Sequence, residues 1–264
     1  ALAFGTSDNF IGGSASGAGN VISGNQSDGI HVRDSHRNKI QGNRIGTDTH
    51  GNAAVPNRVH GVHFFEGSSG NLVGGQTPSE GNVISWNQGD GVLIREVSSR
   101  HNTISKNAIY QNGGPGIRVI DGANNNLQPP LLVTLSGNTV AGATGPGFTA
   151  EVFSDANDEG RYYEGAKTAD ENGDFVFFKP EGFTAQRVAV TVSDLEGNTS
   201  EFSNHVIPGQ GYYQNDFESS VGLEWSAQTP DVTPSGGRQF LGQFGNQTVT
   251  LTLANLPAHN HVTV

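Results

Sequence analysis

Apolar residues in the first 126 positions occur in short alternating runs that stop after three to five residues at Gly, Asn or Asp. Alternation over so few positions, between turn-forming residues, is typical of short β-strands. No segment of this region has the period of a helix. The pattern therefore predicts a succession of short strands joined by tight turns.

Two sequence units carry this pattern and recur together. The unit Asn-x-[Ile/Val]-x-x-Asn begins at Asn20, Asn38, Asn82 and Asn102. The unit Gly-[Ile/Val]-x-[Val/Ile/Phe] begins at Gly29, Gly61, Gly91 and Gly116. Residues 9–46 return at 71–109 with an offset of 62 residues that rises to 64. Because short strands bury a face only when they stack, the repeat predicts a parallel β-helix of roughly 20-residue coils. About six coils at ~4.8 Å each would give a rod of about 30 Å.

The stacking predicts which side chains fill the core. The apolar positions of the Gly unit should point inward, and these are Ile30, Val32, Val62, Phe64, Val92, Ile94, Ile117 and Val119. The Asn residues would tolerate left-handed turns and should hydrogen-bond to their equivalents in the coils above and below.

Residues 9–126 resemble the right-handed parallel β-helix repeat proteins of bacteria, within the broad pectin-lyase-like group. The resemblance rests on Ile11-Gly-Gly, on Gly19–Asn25 and on Gln41–Asp48, units that recur in very large secreted or surface-displayed proteins. It implies a right-handed β-helix over residues 1–126. For function it implies either a structural rod or adhesin, or an enzyme that acts on polysaccharides.

Aligning the Gly units predicts columns of side chains on the outer surface. One column contains Asp28, His60 and Asp90, and the column beside it contains His31 and His63. Carboxylates two coils apart are compatible with inverting glycoside hydrolysis, so these five residues are the candidate catalytic set. The alternative is that Asp-Gly and His-Gly are ordinary turn residues that precede a strand. We expect the second interpretation to hold.

A third column is acidic in every coil and contains Asp34, Glu66, Glu96 and Asp121. Stacked carboxylates repel one another, and a divalent cation such as calcium would relieve that repulsion. The alternative is a solvated turn in which Arg33 and Arg95 offset the charge. We expect that the protein requires no cofactor, with calcium as the candidate ligand of this column.

The pattern changes after Pro129-Pro130 to longer alternating strands. Seven are predicted in residues 127–208, which favours an immunoglobulin-like β-sandwich; they are 131–135, 139–143, 148–153, 166–169, 175–178, 187–193 and 201–204. Residues 209–264 resemble the start of a lectin-like jelly roll that stops within a strand. His259 and His261 in this segment could bind a metal but are better explained as surface residues. The whole chain is thus predicted to be all-β and to be a fragment of a longer protein.

Composition narrows the function. The chain has no Cys, which excludes disulfides and Cys-based metal sites, and its net charge of −11 gives no basic surface for nucleic acid. The acidic excess lies after residue 126, because residues 1–126 carry nine acidic and nine basic side chains. No apolar run reaches the ~20 residues of a membrane span.

We expect a non-catalytic structural or adhesive protein, extracellular or on the cell surface. The alternatives are a polysaccharide hydrolase, lyase or epimerase, or a glycan-binding module. The expected partners are a polysaccharide or cell-surface glycan, and further copies of the chain joined through the ends of the coils.

Overall fold

The computed structural model describes residues 1–157, 159–207, 211–212, 231–232 and 239–240. Its N-terminal region is a parallel β-helix built from thirteen strands. In chain order these are β1 Leu2–Ala3, β2 Phe10–Gly12, β3 Val21–Ile22, β4 Ile30–Arg33, β5 Lys39–Gln41, β6 Arg44–Ile45, β7 Val62–Phe65, β8 Leu72–Gly74, β9 Val83–Ser85, β10 Val92–Arg95, β11 Thr103–Ser105, β12 Ala108–Tyr110 and β13 Ile117–Ile120. Two 3-10 helical turns, Pro78–Glu80 and Ala123–Asn126, lie between strands.

The strands form three parallel sheets that wind around one core. The sheets have the orders β1-β4-β7-β10-β13, β2-β5-β8-β11 and β3-β6-β9-β12. Each coil therefore contributes one strand to each sheet, and the region contains four complete coils and the first strand of a fifth.

The coils are longer and fewer than the sequence predicts. Successive equivalent Asn residues are 32, 30 and 25 positions apart, so the expected 20-residue coil is wrong. The reason is that neighbouring Asn units flank strands of different sheets, β3 then β5 and β9 then β11, so the spacings of 18 and 20 residues between them are shorter than a coil. The 62-residue repeat in the sequence thus corresponds to two coils.

The predicted core is confirmed. All eight predicted inward residues belong to one apolar cluster, and only Val119 among them is partly rather than fully buried. Ile40, Ile45, Val73, Ile84, Ile104 and Ile109 from the other two sheets complete the cluster.

Asparagine ladders run along the three corners of the β-helix, which confirms the predicted hydrogen bonds between coils. In most steps the Oδ1 atom of one Asn accepts hydrogen bonds from both the backbone N–H and the Nδ2 group of the Asn in the preceding coil. The ladders are Asn9-Asn38-Asn71-Asn102-Asn124, Asn20-Asn43-Asn82-Asn107 and Asn25-Asn57-Asn87-Asn112. Because buried polar groups are costly unless they are paired, each ladder supports its neighbouring coils as a unit.

Two antiparallel sheets follow the β-helix and share a second core. Their strands are β14 Leu131–Ser136, β15 Thr139–Ala143, β16 Thr149–Asp155, β17 Tyr162–Thr168, β18 Asp174–Phe178, β19 Arg187–Ser193 and β20 Gly211–Tyr212. The sheet orders are β18-β15-β14-β20 and β17-β16-β19. A β-sandwich is thus present, and the finer immunoglobulin-like assignment stays a prediction. Since β20 pairs with β14, this sandwich extends past the predicted boundary at residue 208.

The strand predicted at residues 201–204 is wrong. Residues 199–206 run beside β19 through two isolated bridges and hydrogen bonds from side chains, without forming a strand. Glu201 and Phe202 instead contact the last coil of the β-helix. The N–H of Val119 donates to Glu201 at 2.7 Å, and Phe202 packs against the β-helix core.

The sandwich covers the last coil with polar contacts. Glu151, whose side chain is only 5 % exposed, accepts hydrogen bonds from Oγ of Ser105 at 2.6 Å and from the N–H of Lys106 at 3.0 Å. The N–H of Ile104 donates to Oγ1 of Thr199, and Asn112 donates to Glu159 at the end of its ladder. These side chains satisfy strand edges that would otherwise be exposed, which is what a solenoid requires at its end.

The lectin-like segment predicted at 209–264 lies mostly outside the described residues. Within it, β21 Asp231–Val232 pairs antiparallel with β22 Gln239–Phe240. None of the helical segments in the described part of the chain has the length and apolar character that crossing a membrane would need.

Candidate functional site

The candidate site lies on the outer face of the sheet β1-β4-β7-β10-β13. Register places His31 of β4 beside His63 of β7, and Leu93 of β10 between His63 and Arg118 of β13. Asp28, His60 and Asp90 lie in the turns that enter β4, β7 and β10. The structure therefore brings together all five residues of the predicted set, and we call Asp28, His31, His60, His63 and Asp90 the histidine cluster.

Asp28 is the centre of the histidine cluster. Its Oδ2 atom is 2.8 Å from Nδ1 of His31 and 3.2 Å from Nδ1 of His63, while Oδ1 accepts the backbone N–H of His60 at 3.0 Å. The Asp28 side chain is 5 % exposed. Burial alone would raise the pKa of Asp28, but the bonds from His63, His31 and the His60 backbone outweigh it and hold that pKa well below its usual range.

Asp90 is the second carboxylate of the histidine cluster and is also ionised. Nε of Arg118 donates to its Oδ1 atom at 3.0 Å, and its side chain is 6 % exposed. Burial opposes ionisation, yet the pKa of Asp90 is lowered, because Arg118 and the His60 ring outweigh the cost of burial.

His60 connects the two carboxylates. Its Nδ1 atom lies 3.0 Å from the backbone N–H of Asp90 and 3.3 Å from Oδ2 of Asp90. Nδ1 cannot accept from the N–H and donate to the carboxylate at once. The ring therefore has two tautomers available, one that accepts the Asp90 N–H at Nδ1 and one that donates from Nδ1 to the Asp90 carboxylate.

The rings are held by one another and by Phe65. His63 stacks on Phe65 with centroids 4.8 Å apart, His31 meets Phe65 edge-on at 4.5 Å, and His60 lies 5.2 Å from His63. Nε2 of His63 is buried and has no hydrogen-bond partner. Leaving a buried polar atom unpaired costs about 1–3 kcal/mol, so this atom is a place where a bound group would be favourable.

The histidine cluster also has the composition of a metal site. One ligand atom from each of Asp28, His60 and His63 lies within 4.8 Å of the others, close enough for all three to reach one ion.

The acidic column does not converge in the same way. Its four residues all have left-handed backbone conformations, with φ between 44° and 76°. Nε of Arg33 donates to Glu66 at 2.7 Å, and the N–H of Glu66 donates to Glu96 at 2.9 Å. These contacts offset part of the charge as the solvated-turn interpretation expects, and calcium at this column stays a prediction.

A cleft between the last coil and the sandwich contains an acid that the sequence analysis missed. The cleft has a volume of about 740 Å³, and Gly114, Pro115, Glu159, Glu201 and His205 are among its lining residues. Burial raises the pKa of Glu201, the Val119 N–H and Arg118 offset this only in part, and the charge of Asp90 adds to the rise. The signal that could have found it is that the N–H groups of β13, the last strand of its sheet, need acceptors from the next domain.

Comparison with known proteins identifies the fold. Residues 9–160, more than half of the 264-residue chain, match the family model for the right-handed β-helix region. The matched range extends beyond the last coil to Gly160, which pairs antiparallel with Ile109 of β12. No curated protein matches the chain.

Proposed function

The chain belongs to the right-handed β-helix family, and from that premise we propose that it is a rigid, non-catalytic scaffold segment of an extracellular or cell-surface protein. In this role the β-helix acts as a rod and its outer faces present adhesive surfaces to a polysaccharide or cell-surface glycan.

The continuity of the asparagine ladders is the observation that carries the proposal. The three ladders pass through every complete coil, and two of them end on residues of the sandwich, since Asn112 donates to Glu159 and Asn124 donates to the carbonyl of Thr199. Rod and sandwich are thus linked by one network of buried hydrogen bonds. Such a network resists bending and separation of the coils, as a rigid scaffold requires.

The electrostatics of the histidine cluster favour this role over catalysis there. Hydrolysis of a glycosidic bond by two carboxyl groups needs one of them to stay protonated, with a raised pKa, so that it can act as the general acid. Both Asp28 and Asp90 have lowered pKa values, because each is engaged by basic side chains. Neither is suited to donate a proton at neutral pH.

A polysaccharide hydrolase is the second candidate, and Glu201 is the observation that favours it. Glu201 lines the cleft and has a raised pKa, to which the charge of Asp90 contributes, whereas the pKa of Asp90 is lowered, so the two carboxyls are separated in pKa as an acid and a base would be. The cleft is open to solvent and of a size that admits a sugar unit.

An assay with a panel of neutral and acidic polysaccharides separates the two candidates. We expect glycan binding without turnover, read as no increase in reducing ends or unsaturated products. The matched variants are Glu201→Gln and Asp90→Asn. Glu201→Gln should fold, because the amide oxygen can still accept the Val119 N–H. Because folding raises the pKa of Glu201, its ionised carboxylate lowers the stability of the folded protein at neutral pH. This loss of stability is relieved as the pH falls through the raised pKa. Turnover by the unchanged chain that both variants abolish would overturn the scaffold proposal in favour of the hydrolase.

Self-association is a further part of the proposal. Strands of successive coils pair along parallel edges, and the apolar side chains of Phe4 and Phe10 in the first coil are 77 % and 66 % exposed. Parallel edges with apolar neighbours are suited to pairing with another coil.

A further inference from the structure

We propose that Asp28, His60 and His63 bind one divalent transition-metal ion, with Zn²⁺ as the occupant. This site goes beyond the scaffold role, which requires no metal. It lies on the outer face of the rod and joins two successive coils, because Asp28 precedes β4 and the two histidines belong to the next coil.

The ligand atoms are already gathered and shielded. Zn²⁺ binds histidine nitrogen and carboxylate oxygen at about 2.0–2.2 Å in tetrahedral geometry, which places neighbouring ligand atoms about 3.4 Å apart. Oδ2 of Asp28 and Nδ1 of His63 are 3.2 Å apart, and all three ligand atoms fall within 4.8 Å. The side chains of Asp28, His63 and His60 are 5 %, 13 % and 18 % exposed, so the site is partly desolvated but can be reached from solvent.

The charge of the histidine cluster also favours a cation. Asp28 is a buried, ionised carboxylate whose ion-pair partners among the described residues are His31 and His63, without a Lys or Arg. Arg118 serves Asp90 instead. A buried carboxylate is costly unless its charge is balanced, and a divalent ion supplies that balance.

Residues behind the ligands are placed to support them. His31 contacts Asp28 at 2.8 Å, which orients the carboxylate. If His60 binds the ion through Nε2, its Nδ1 atom carries the proton, gives up the bond from the Asp90 N–H and donates to Oδ2 of Asp90 at 3.3 Å. A carboxylate behind a ligating histidine is the usual arrangement in zinc sites.

The ligand chemistry selects zinc over calcium. Ca²⁺ takes six to eight oxygen ligands, whereas this set offers two imidazoles and one carboxylate. Three protein ligands leave a fourth tetrahedral position, which a water molecule would fill.

Calorimetric titration of the metal-free full chain with ZnCl₂ tests the proposal. We expect one site that His60→Gln and His63→Gln each remove or weaken far more than His31→Gln, for which the loss should be about tenfold because it removes only a supporting contact. The chain has nine histidines, so two controls are needed. His36→Gln, and the double variant His259→Gln with His261→Gln, should leave this site unchanged. Titration with CaCl₂ in the same cell tests the acidic column independently.

Cobalt substitution provides a readout that does not depend on the folding of a variant. Co²⁺ bound to the unchanged chain should give the intense visible absorption of a tetrahedral site. No binding, a weak octahedral spectrum, or a site that is lost only in the His259/His261 double variant would overturn the proposal. Because neither readout involves a glycan, failure here leaves the scaffold proposal to be decided by the polysaccharide assay alone.

Discussion

Gly74→Ala is expected to lower the free energy of unfolding by about 4 kcal/mol or more, one of the largest effects of any single substitution in this chain. Gly74 ends β8 with φ +88°, and a Cβ atom there would lie 1.9 Å from the carbonyl oxygen of Ser105 in the next coil. Because the obstructing atom belongs to the backbone of Ser105, it cannot rotate away as a side chain would. The two stacked strands must therefore move apart to admit the new Cβ atom. The substitution therefore combines the cost of a left-handed alanine, about 1 kcal/mol, with overpacking and the loss of hydrogen bonds between coils.

Gly17→Ala is the matched control for this prediction. Gly17 has φ +81°, but a Cβ atom there meets nothing within 4 Å. It should lower stability only by the cost of the left-handed conformation, about 1 kcal/mol. Urea denaturation of both variants measures the difference. Equal losses at the two positions would mean that the coils are not stacked as closely at Gly74 as the structure shows.

Asn82→Ala should also lower the free energy of unfolding by about 4 kcal/mol, because it breaks a ladder in the middle. Oδ1 of Asn82 accepts the backbone N–H and the Nδ2 group of Asn43, both at 2.9 Å, and its own Nδ2 donates to the carbonyl of Ile40 at 2.7 Å. Asn82 and Asn43 are each 1 % exposed. Nδ2 of Asn82 also donates to Oδ1 of Asn107 at 2.8 Å, so the change removes four buried hydrogen bonds, at about 1 kcal/mol or more each.

Asn25→Ala is the control, because Asn25 is the exposed first residue of another ladder. Asn25 makes similar contacts with Asn57, at 2.7 and 3.2 Å, but it is exposed, so water can replace the lost amide. We expect a loss below about 1 kcal/mol in the same denaturation experiment. If Asn82→Ala were as mild as Asn25→Ala, the ladders would not be the source of cohesion between coils.

Side-chain columns could be predicted from the sequence because the repeat fixes them. Once Gly29, Gly61 and Gly91 are aligned, the neighbours of each side chain follow from stacking, and the pairing of His31 with His63 is confirmed. Core residues follow from the same alternation. The coil count was missed, since a local unit does not reveal how many such units make one turn of the helix.

Contacts that depend on side-chain direction or on the second domain could not be predicted. Alignment places Asp28 and His60 in one column, but only the structure shows that Asp28 bonds three histidines and is ionised. The alternation of polar and apolar residues around Phe202 predicts a strand that includes Glu201, and the structure has no strand there. The role of Glu201 at the junction depends on packing between residues about 80 positions apart, which no local pattern contains.

Hydrogen exchange at the ladder amides tests the scaffold account most directly. The backbone N–H groups of Asn38, Asn43, Asn71, Asn82 and Asn87 donate to the next ladder residue and are buried. We predict that all five exchange with one shared opening free energy and more slowly than the exposed turn at 14–17 by roughly 10³-fold or more. Exchange that is as fast as in that turn, or that differs from coil to coil, would contradict the claim that the ladders join the coils into one rigid body.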